Sequence, residues 1–305
     1  MTAAAALVPG AQAPDEFELW LREAGERFER AAAGMMPGAD QVPERLHAAM
    51  RYAVLGGGKR VRPLLAYAAG EFAHADVAVV DAAAAAVEMI HAYSLIHDDL
   101  PCMDDDTLRR GRPTAHVAFG EAMALLAGDA LQAAAFGMLG ASSMRDAGLA
   151  CAKLAGASGV AGMAGGQAID LAAVGQALPL PDLEAMHRMK TGALIRAAVE
   201  LGATCGPPVA PGESAALAAY ADAAGLAFQV VDDVLDATGT DASLGKTAGK
   251  DAAHGKPTYV TLLGLGEAQR RAESLRLEAH AALAPFGVRA RRLVELADWI
   301  VLRHH

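Results

Sequence analysis

Aromatic residues are scarce in this chain: phenylalanine, tryptophan and tyrosine make up only 5 % of its 305 residues. β-branched residues are thin beside alanine, and no segment alternates apolar with polar residues between hairpin turns, so the sequence predicts no sheet. Cysteine is nearly absent. The three present (102, 151, 205) stand far apart without paired or metal-type spacing. That argues against a disulfide framework and for a reduced, cytoplasmic setting. Positive charge is in deficit, with a net charge of −10, which leaves no broad basic surface for nucleic acid. The opening MTAAAALVPGAQAPDEFELW lacks the basic n-region of a secretory signal. Long, strongly apolar runs are missing too. The longest uncharged stretches, such as LAGASGVAGMAGGQAI, are diluted by glycine, so the expectation is a soluble intracellular chain with no membrane span.

What is abundant is alanine, within a hydrophobic content of 53 %, and alanine is the strongest helix former. Apolar residues recur every three or four positions in FELWLREAGERFERAAAGMM, LHAAMRYAVL, DVAVVDAAAAAVEMIHAYSLIHDD and HVAFGEAMALLAGDALQAAAFGML. The pattern continues in PDLEAMHRMKTGALIRAAVELGA, SAALAAYADAAGLAFQVVDDVLD and RRLVELADWIVLR. MPGADQVP, GPPVAPGES and ATGTDASLGKTAGK have loop composition. Residues 1–14 are expected to form a mobile N-terminal segment. Residues 15–305 are expected to form a single all-α domain of roughly ten or more helices.

Charge is gathered into clusters. SLIHDDLPCMDDDTLRRGRPT (94–114) places aspartates at 98, 99, 104, 105 and 106, followed by arginines at 109, 110 and 112. Like charges this close repel, and burying them unpaired is costly. On a straight helix Asp98 and Asp104 would diverge, but proline disfavours helix in the residue before it, so a kink at Leu100-Pro101 can bring Asp98, Asp99 and Asp104 together. The second cluster, FQVVDDVLD (228–236), spaces Asp232, Asp233 and Asp236 along one helical face. A solvated surface is the ordinary fate of acidic runs. Phe228, Val230, Val231, Val234 and Leu235 make that a poor fit here, and a cavity-facing set is expected instead. Two aspartate clusters suit magnesium, which takes one or two carboxylates and keeps positions for water and phosphate oxygens. Calcium is the rival, but the spacing is not that of an EF-hand.

The cations are also grouped. GGGKRVRP carries Lys59, Arg60 and Arg62 behind three glycines, and LRRGRPT carries Arg109, Arg110 and Arg112. Lys190-Thr191 and then Lys246, Lys250 and Lys256 follow. Guanidinium groups bind phosphate bidentately and lysine acts as a point charge. For any single lysine ordinary surface charge is the better reading; the grouping favours binding for the set.

Together these motifs resemble the trans-prenyltransferases, the short-chain isoprenyl diphosphate synthases, and most closely the bacterial farnesyl diphosphate synthases. DDLPCMDDD is similar to the family's first aspartate-rich motif, FQVVDDVLD to its second, and GGGKRVRP, LRRGRPT, GMAGGQAIDL, HRMKTGALI and LGKTAGKDAAHGKPTY match in order. The resemblance implies a helical bundle around a deep central cavity, usually a homodimer. It also implies magnesium-dependent condensation of isopentenyl diphosphate with dimethylallyl or geranyl diphosphate, with about three metal ions and manganese able to substitute. By position, Asp98, Asp99, Asp104 and Asp232 are implied as metal ligands, with Asp236 nearby. Arg109, Lys190, Lys246 and Lys256 are implied on the allylic diphosphate, and Lys59, Arg62, His91 and Arg110 on isopentenyl diphosphate. Thr191 and Gln229 stand beside the allylic cation, and Gln167 and Asp170 are further pocket candidates. His91 by itself would more often be a core histidine. Tyr93 and Ser94, one turn before Asp98, are implied as the cavity floor and predict a fifteen-carbon product. His97 carries no role, Cys102 stands where the family usually has a small apolar residue, and Arg303 is left open. A longer-chain synthase is the nearest alternative. A class I terpene cyclase or a non-catalytic prenyltransferase subunit is more distant, because both aspartate motifs are complete.

Overall fold

The computed structural model describes residues 15–176, 178–239 and 257–303. The expectation of a mobile segment over residues 1–14 lies outside the described residues, as do Lys246, Lys250 and Lys256.

Helices account for nearly all of the regular secondary structure among the described residues. In chain order they are α1 (Glu16–Met35), α2 (Glu44–Val54), α3 (Val61–Phe72), α4 (Val77–Asp98), α5 (Ala115–Phe119), α6 (Glu121–Ala141) and α7 (Ala147–Ser158). Then come α8 (Met163–Ala173), α9 (Leu180–His187), α10 (Ala193–Thr204), α11 (Pro211–Thr238), α12 (Tyr259–Leu263), α13 (Leu265–Leu283) and α14 (Arg291–Leu302). Starts are written locally. Asp15, Asp76 and Asp146 each accept a backbone N–H from the first turn of α1, α4 and α7, an arrangement typically worth about 1 kcal/mol. Pro211 opens α11 at a position where its missing N–H costs nothing, and the Glu213 carboxylate reaches back to the Ala210 N–H at 2.8 Å.

The expectation of no sheet needs one correction. Leu108–Arg109 and Arg112–Pro113 pair as a minimal antiparallel hairpin. Its two turn residues, Arg110 and Gly111, both take positive φ (54° and 71°), the handedness that two-residue hairpins require. With so short a ladder there is no alternation to read.

The core is built from small residues. α4 carries an uninterrupted buried run from Val80 to Ile90, apolar but for Asp81 and Glu88, as suits a central helix. The lack of side-chain bulk lets backbones meet: a Cβ at Gly202 of α10 would press on the Ala66 carbonyl of α3, with the carbonyl carbon at 2.8 Å. Buried Arg60, the left-handed residue before α3 (φ 51°), ties this centre to its neighbours. It bonds Glu88 of α4 at 2.8 Å, Glu29 of α1 and the Val54 carbonyl of α2.

The expectation that no run is long and apolar enough for a membrane span needs a correction too. Four helical stretches, Val77–Asp98, Glu121–Ala141, Ala147–Ala173 and Pro211–Thr238, are long and apolar enough to cross a membrane by length and composition. Alanine raises hydropathy without bulk. In α4, 78 % of the most apolar window is buried inside the fold, the place its apolarity suits.

Gly202→Ala is expected to cost about 1–3 kcal/mol by overpacking and to lower the thermal midpoint followed by circular dichroism. An unchanged midpoint would mean that α3 and α10 can separate freely.

Candidate active site

α4 stops at Asp98, with Asp99 as its C-cap. The chain then turns so that the Asp104 N–H donates to the Asp98 carbonyl at 2.8 Å. Asp104 thus returns to Asp98 through a turn that contains Leu100-Pro101, the place where a bulge or kink was expected. Burial pushes the Asp98 carboxyl up to about 6; Lys190 lowers it, Asp104 raises it again, and Arg109 and Asp99 pull in opposite directions more weakly. Asp99 does not share this space. It is buried and takes a fork from Arg109, with contacts of 2.6 and 2.9 Å, beside a separate small cavity of about 60 Å³. Asp98 and Asp99 are adjacent at a helix end, so their side chains leave in different directions.

Three arginines of the hairpin were expected to face diphosphate. Arg109 is engaged by Asp99. Arg110 donates to the Gly57 carbonyl and lines a 200 Å³ pocket with Lys59, Arg62, His91, Glu88 and Phe228. Gly58 makes this approach possible: a Cβ there would stand 2.5 Å from an Arg110 nitrogen, and its φ is +121°. Arg112 lies over the ring of Tyr52 at 4.2 Å.

Arg62 belongs also to a second, larger cavity of about 260 Å³, whose lining includes His91, Tyr93, Ser94, His97, Asp98, Gln167, Lys190 and Thr191. The two spaces therefore meet at Arg62 and His91. Burial lowers the Arg62 pKa, and its Nε has no hydrogen-bond partner in the protein. Burial, then Arg62 and Arg110, hold His91 well below its usual value. This histidine is neutral at pH 7. Ser94 Oγ donates to the His91 carbonyl at 2.8 Å.

Lys190 and Thr191 sit in a π-helical turn, Arg188–Gly192, between α9 and α10. π-turns commonly mark functional positions. Gly166 of α8 packs directly beneath it, and a Cβ there would be 2.6 Å from the Lys190 Cα. Of the glycines in GMAGGQAIDL, Gly166 thus serves close packing against the turn that carries Lys190, while Gly162 meets the Ala157 and Gly156 carbonyls of α7. Lys190 Nζ holds Asp170 at 2.6 Å, while Thr191 Oγ1 donates to Gln229 Oε1 at 3.2 Å. The Gln167 amide is buried, with neither its nitrogen nor its oxygen hydrogen-bonded.

The second acidic cluster does not turn as one face. Asp233 is buried and points into the protein, accepting from Gln229 Nε2 at 3.0 Å and from the Tyr259 N–H at 2.8 Å, where it tethers the start of α12. Asp232 is paired with Arg303, which also donates to the Phe228 carbonyl at 3.2 Å and lies 4.1 Å above the Phe228 ring. Asp236 is one turn further along α11. Cys102 is exposed.

Among the described residues no three His, Cys, Asp or Glu side chains converge closely enough to hold a metal ion. The donor set still fits magnesium, which needs one or two carboxylates when phosphate supplies the rest. Burial raises the Asp98 pKa, and neighbouring Asp104 adds to it against the pull of Lys190. Sequence reasoning missed the pairs Asp99–Arg109, Asp170–Lys190 and Asp232–Arg303. Opposite charges 10, 20 and 71 residues apart carry no local signal.

The Asp98 carboxyl titrates near 6 in the folded chain, against 3.8 ordinarily. The folded state holds this proton more tightly, so the group's contribution to stability is full below about pH 4 and lost as pH rises through about 6. Asp98→Asn is expected to stabilise the metal-free protein at about pH 7.5 by about 1–2 kcal/mol, allowing for partial solvation. Near pH 4 it should do nothing. Equal thermal shifts at the two pH values would contradict the assignment.

Comparison with known proteins agrees with this architecture. The family model described as Polyprenyl synthetase matches residues 43–282. A "Probable farnesyl diphosphate synthase" of Bradyrhizobium diazoefficiens is 50 % identical over 284 residues, covering 92 % of this chain and 86 % of that protein. The farnesyl diphosphate synthase of Escherichia coli is 48 % identical over 299 residues, covering 95 % and 99 %. A crystal structure of an FPP/GFPP synthase from Zymomonas mobilis superposes with a TM-score of 0.83 at 41 % identity, covering 93 % and 98 %. With the family model spanning most of the chain and these relatives matched nearly end to end, the chain belongs to the polyprenyl synthetase family.

Proposed function

We propose that this protein condenses isopentenyl diphosphate with dimethylallyl and then geranyl diphosphate to give farnesyl diphosphate. The observation that carries this is the pair of cavities meeting at Arg62 and His91, one rich in cations and one walled by Tyr93, Ser94, Met103, Met163 and Ala164 below Asp98. A charged head and an apolar tail need such a site.

In this reading the allylic carbon–oxygen bond breaks heterolytically and its electron pair leaves with diphosphate. The isopentenyl double bond then forms the new carbon–carbon bond, and a proton is lost from the adjacent carbon to the released diphosphate. Lys190 and Arg109 neutralise the allylic diphosphate, exchanging their present carboxylate partners Asp170 and Asp99 for it. Lys246 and Lys256 are assigned to the same diphosphate by sequence position alone. Lys59, Arg62 and Arg110 hold isopentenyl diphosphate, for which the unpartnered Arg62 Nε is ready. Neutral His91 can donate to that ligand without adding charge. The Thr191–Gln229 pair turns oxygen dipoles towards the site where the cation develops. Asp98, Asp104 and Asp232, with Asp99 and Asp236, are the residues assigned to magnesium, and bound magnesium would stabilise the negative charge on the leaving diphosphate. Asp232 must first part from Arg303, and Asp99 from Arg109. Apolar walls keep water from the cation. A homodimer and a cytoplasmic setting belong to the same proposal, consistent with exposed Leu125 and Leu126 on α6 and three free cysteines.

Incubating the protein with isopentenyl and geranyl diphosphates, with and without magnesium, and identifying the hydrolysed product by mass tests the reading. Metal-dependent farnesol is expected; no condensation would refute it, and geranylgeraniol would keep the chemistry but not the chain length. Ser94→Phe should shift output towards ten carbons, and Tyr93→Ala should lengthen it. Product lengths indifferent to both changes would remove Tyr93 and Ser94 from the floor.

A further inference from the structure

His97 precedes Asp98 and lines the larger cavity, yet its ring is turned towards α6. Its Nε2 lies 3.1 Å from the Leu125 carbonyl, and a carbonyl only accepts, so Nε2 carries the proton and donates. The imidazole can lie this close to α6 because residue 128 is glycine. A Cβ on Gly128 would stand 2.6 Å from His97 Cδ2 and 2.9 Å from Cε1, and closer still to Nε2. Three ring atoms, rather than one flexible tip, would have to move. On its other side the ring meets Tyr93 edge-on, with centroids 5.6 Å apart at 74°, a favoured aromatic arrangement.

We propose that Gly128, acting through His97, sets the depth of the cavity and so helps select product length. The inference rests on the chain-elongation reading above and adds a second layer behind Tyr93, on the side of α6. Gly128 leaves room for His97, His97 backs Tyr93, and Tyr93 meets the growing chain. Neither Gly128 nor His97 touches the reacting atoms; both are positioning residues. A methyl group at 128 breaks the bond to Leu125 and drives the imidazole, with Tyr93, into the cavity. Removing the imidazole lets Tyr93 fall back.

The test is the product distribution of Gly128→Ala, His97→Ala and the double variant, supplied with isopentenyl and dimethylallyl diphosphates beside the unaltered protein. Gly128→Ala is expected to raise the ten- to fifteen-carbon ratio roughly tenfold or more, the discrimination that one methylene of misfit gives. His97→Ala should lengthen the product, and the double variant should lose the ten-carbon excess because the clash has no partner left. Such mutual rescue is not expected of mere destabilisation. Unchanged or longer product from Gly128→Ala, while it still condenses, overturns the proposal. If that variant does not fold, unchanged product length from His97→Ala, which adds no atom, overturns it equally. Failure of the unaltered protein to condense would refute the underlying reading, a result distinct from either.

Discussion

Carboxylates beside an apolar cavity are costly unless cations answer them, and this constraint organises much of the site. Asp99 has Arg109, Asp170 has Lys190 and Asp232 has Arg303. Each pair joins residues from different elements, so the charges help hold the hairpin, α8, α11 and residue 303 in place around the cavity. Removing one partner from such a pair leaves a poorly solvated charge, which is far more costly than the pair itself is stabilising. The same pairs keep cations in reserve for anionic ligands: a diphosphate offers more negative charge than one carboxylate does.

The scaffold under these charges depends on the absence of bulk. Ala82–Ala86 in α4 and Gly202 in α10 let helices pack backbone to backbone. Gly166 does the same beneath the π-turn. Positions near the reacting centre are thereby fixed by main-chain contacts, which have little freedom to relax. Arg60 extends the effect, since one buried guanidinium gathers Glu29, Glu88 and the end of α2 at the start of the strand-free GGGKRVRP loop.

Much of this was legible in the sequence, for physical reasons. Alanine content and three- and four-residue periodicity announced helices because helical propensity is local. Ser94 lies one turn before Asp98, so helix geometry placed it and neighbouring Tyr93 near Asp98, and the family resemblance supplied the cavity they line. Thr191 beside Gln229 was legible only through family resemblance, since nothing local links positions 38 apart. What escaped were directions and partners. Asp98 and Asp99 part company because a helix end sends neighbours to different sides. Asp233 leaves its cluster to cap α12, and His97 turns from the aspartates to α6. The hairpin was too short to show a period, and alanine and glycine hid how apolar the longest helices are.

The π-turn at Arg188–Gly192 has a consequence for how this chain can vary. It amounts to one surplus residue accommodated inside an otherwise continuous helical rod. Deleting any one of its residues would restore an ordinary α-helical pitch and turn everything on one side of it relative to the other. Lys190 and Thr191 would then no longer address Asp170 and Gln229 together. Substitutions here alter single contacts, whereas a change in length alters the phase between two whole helices. Insertions and deletions should therefore be the rarest kind of variation in this segment, even where its individual side chains differ.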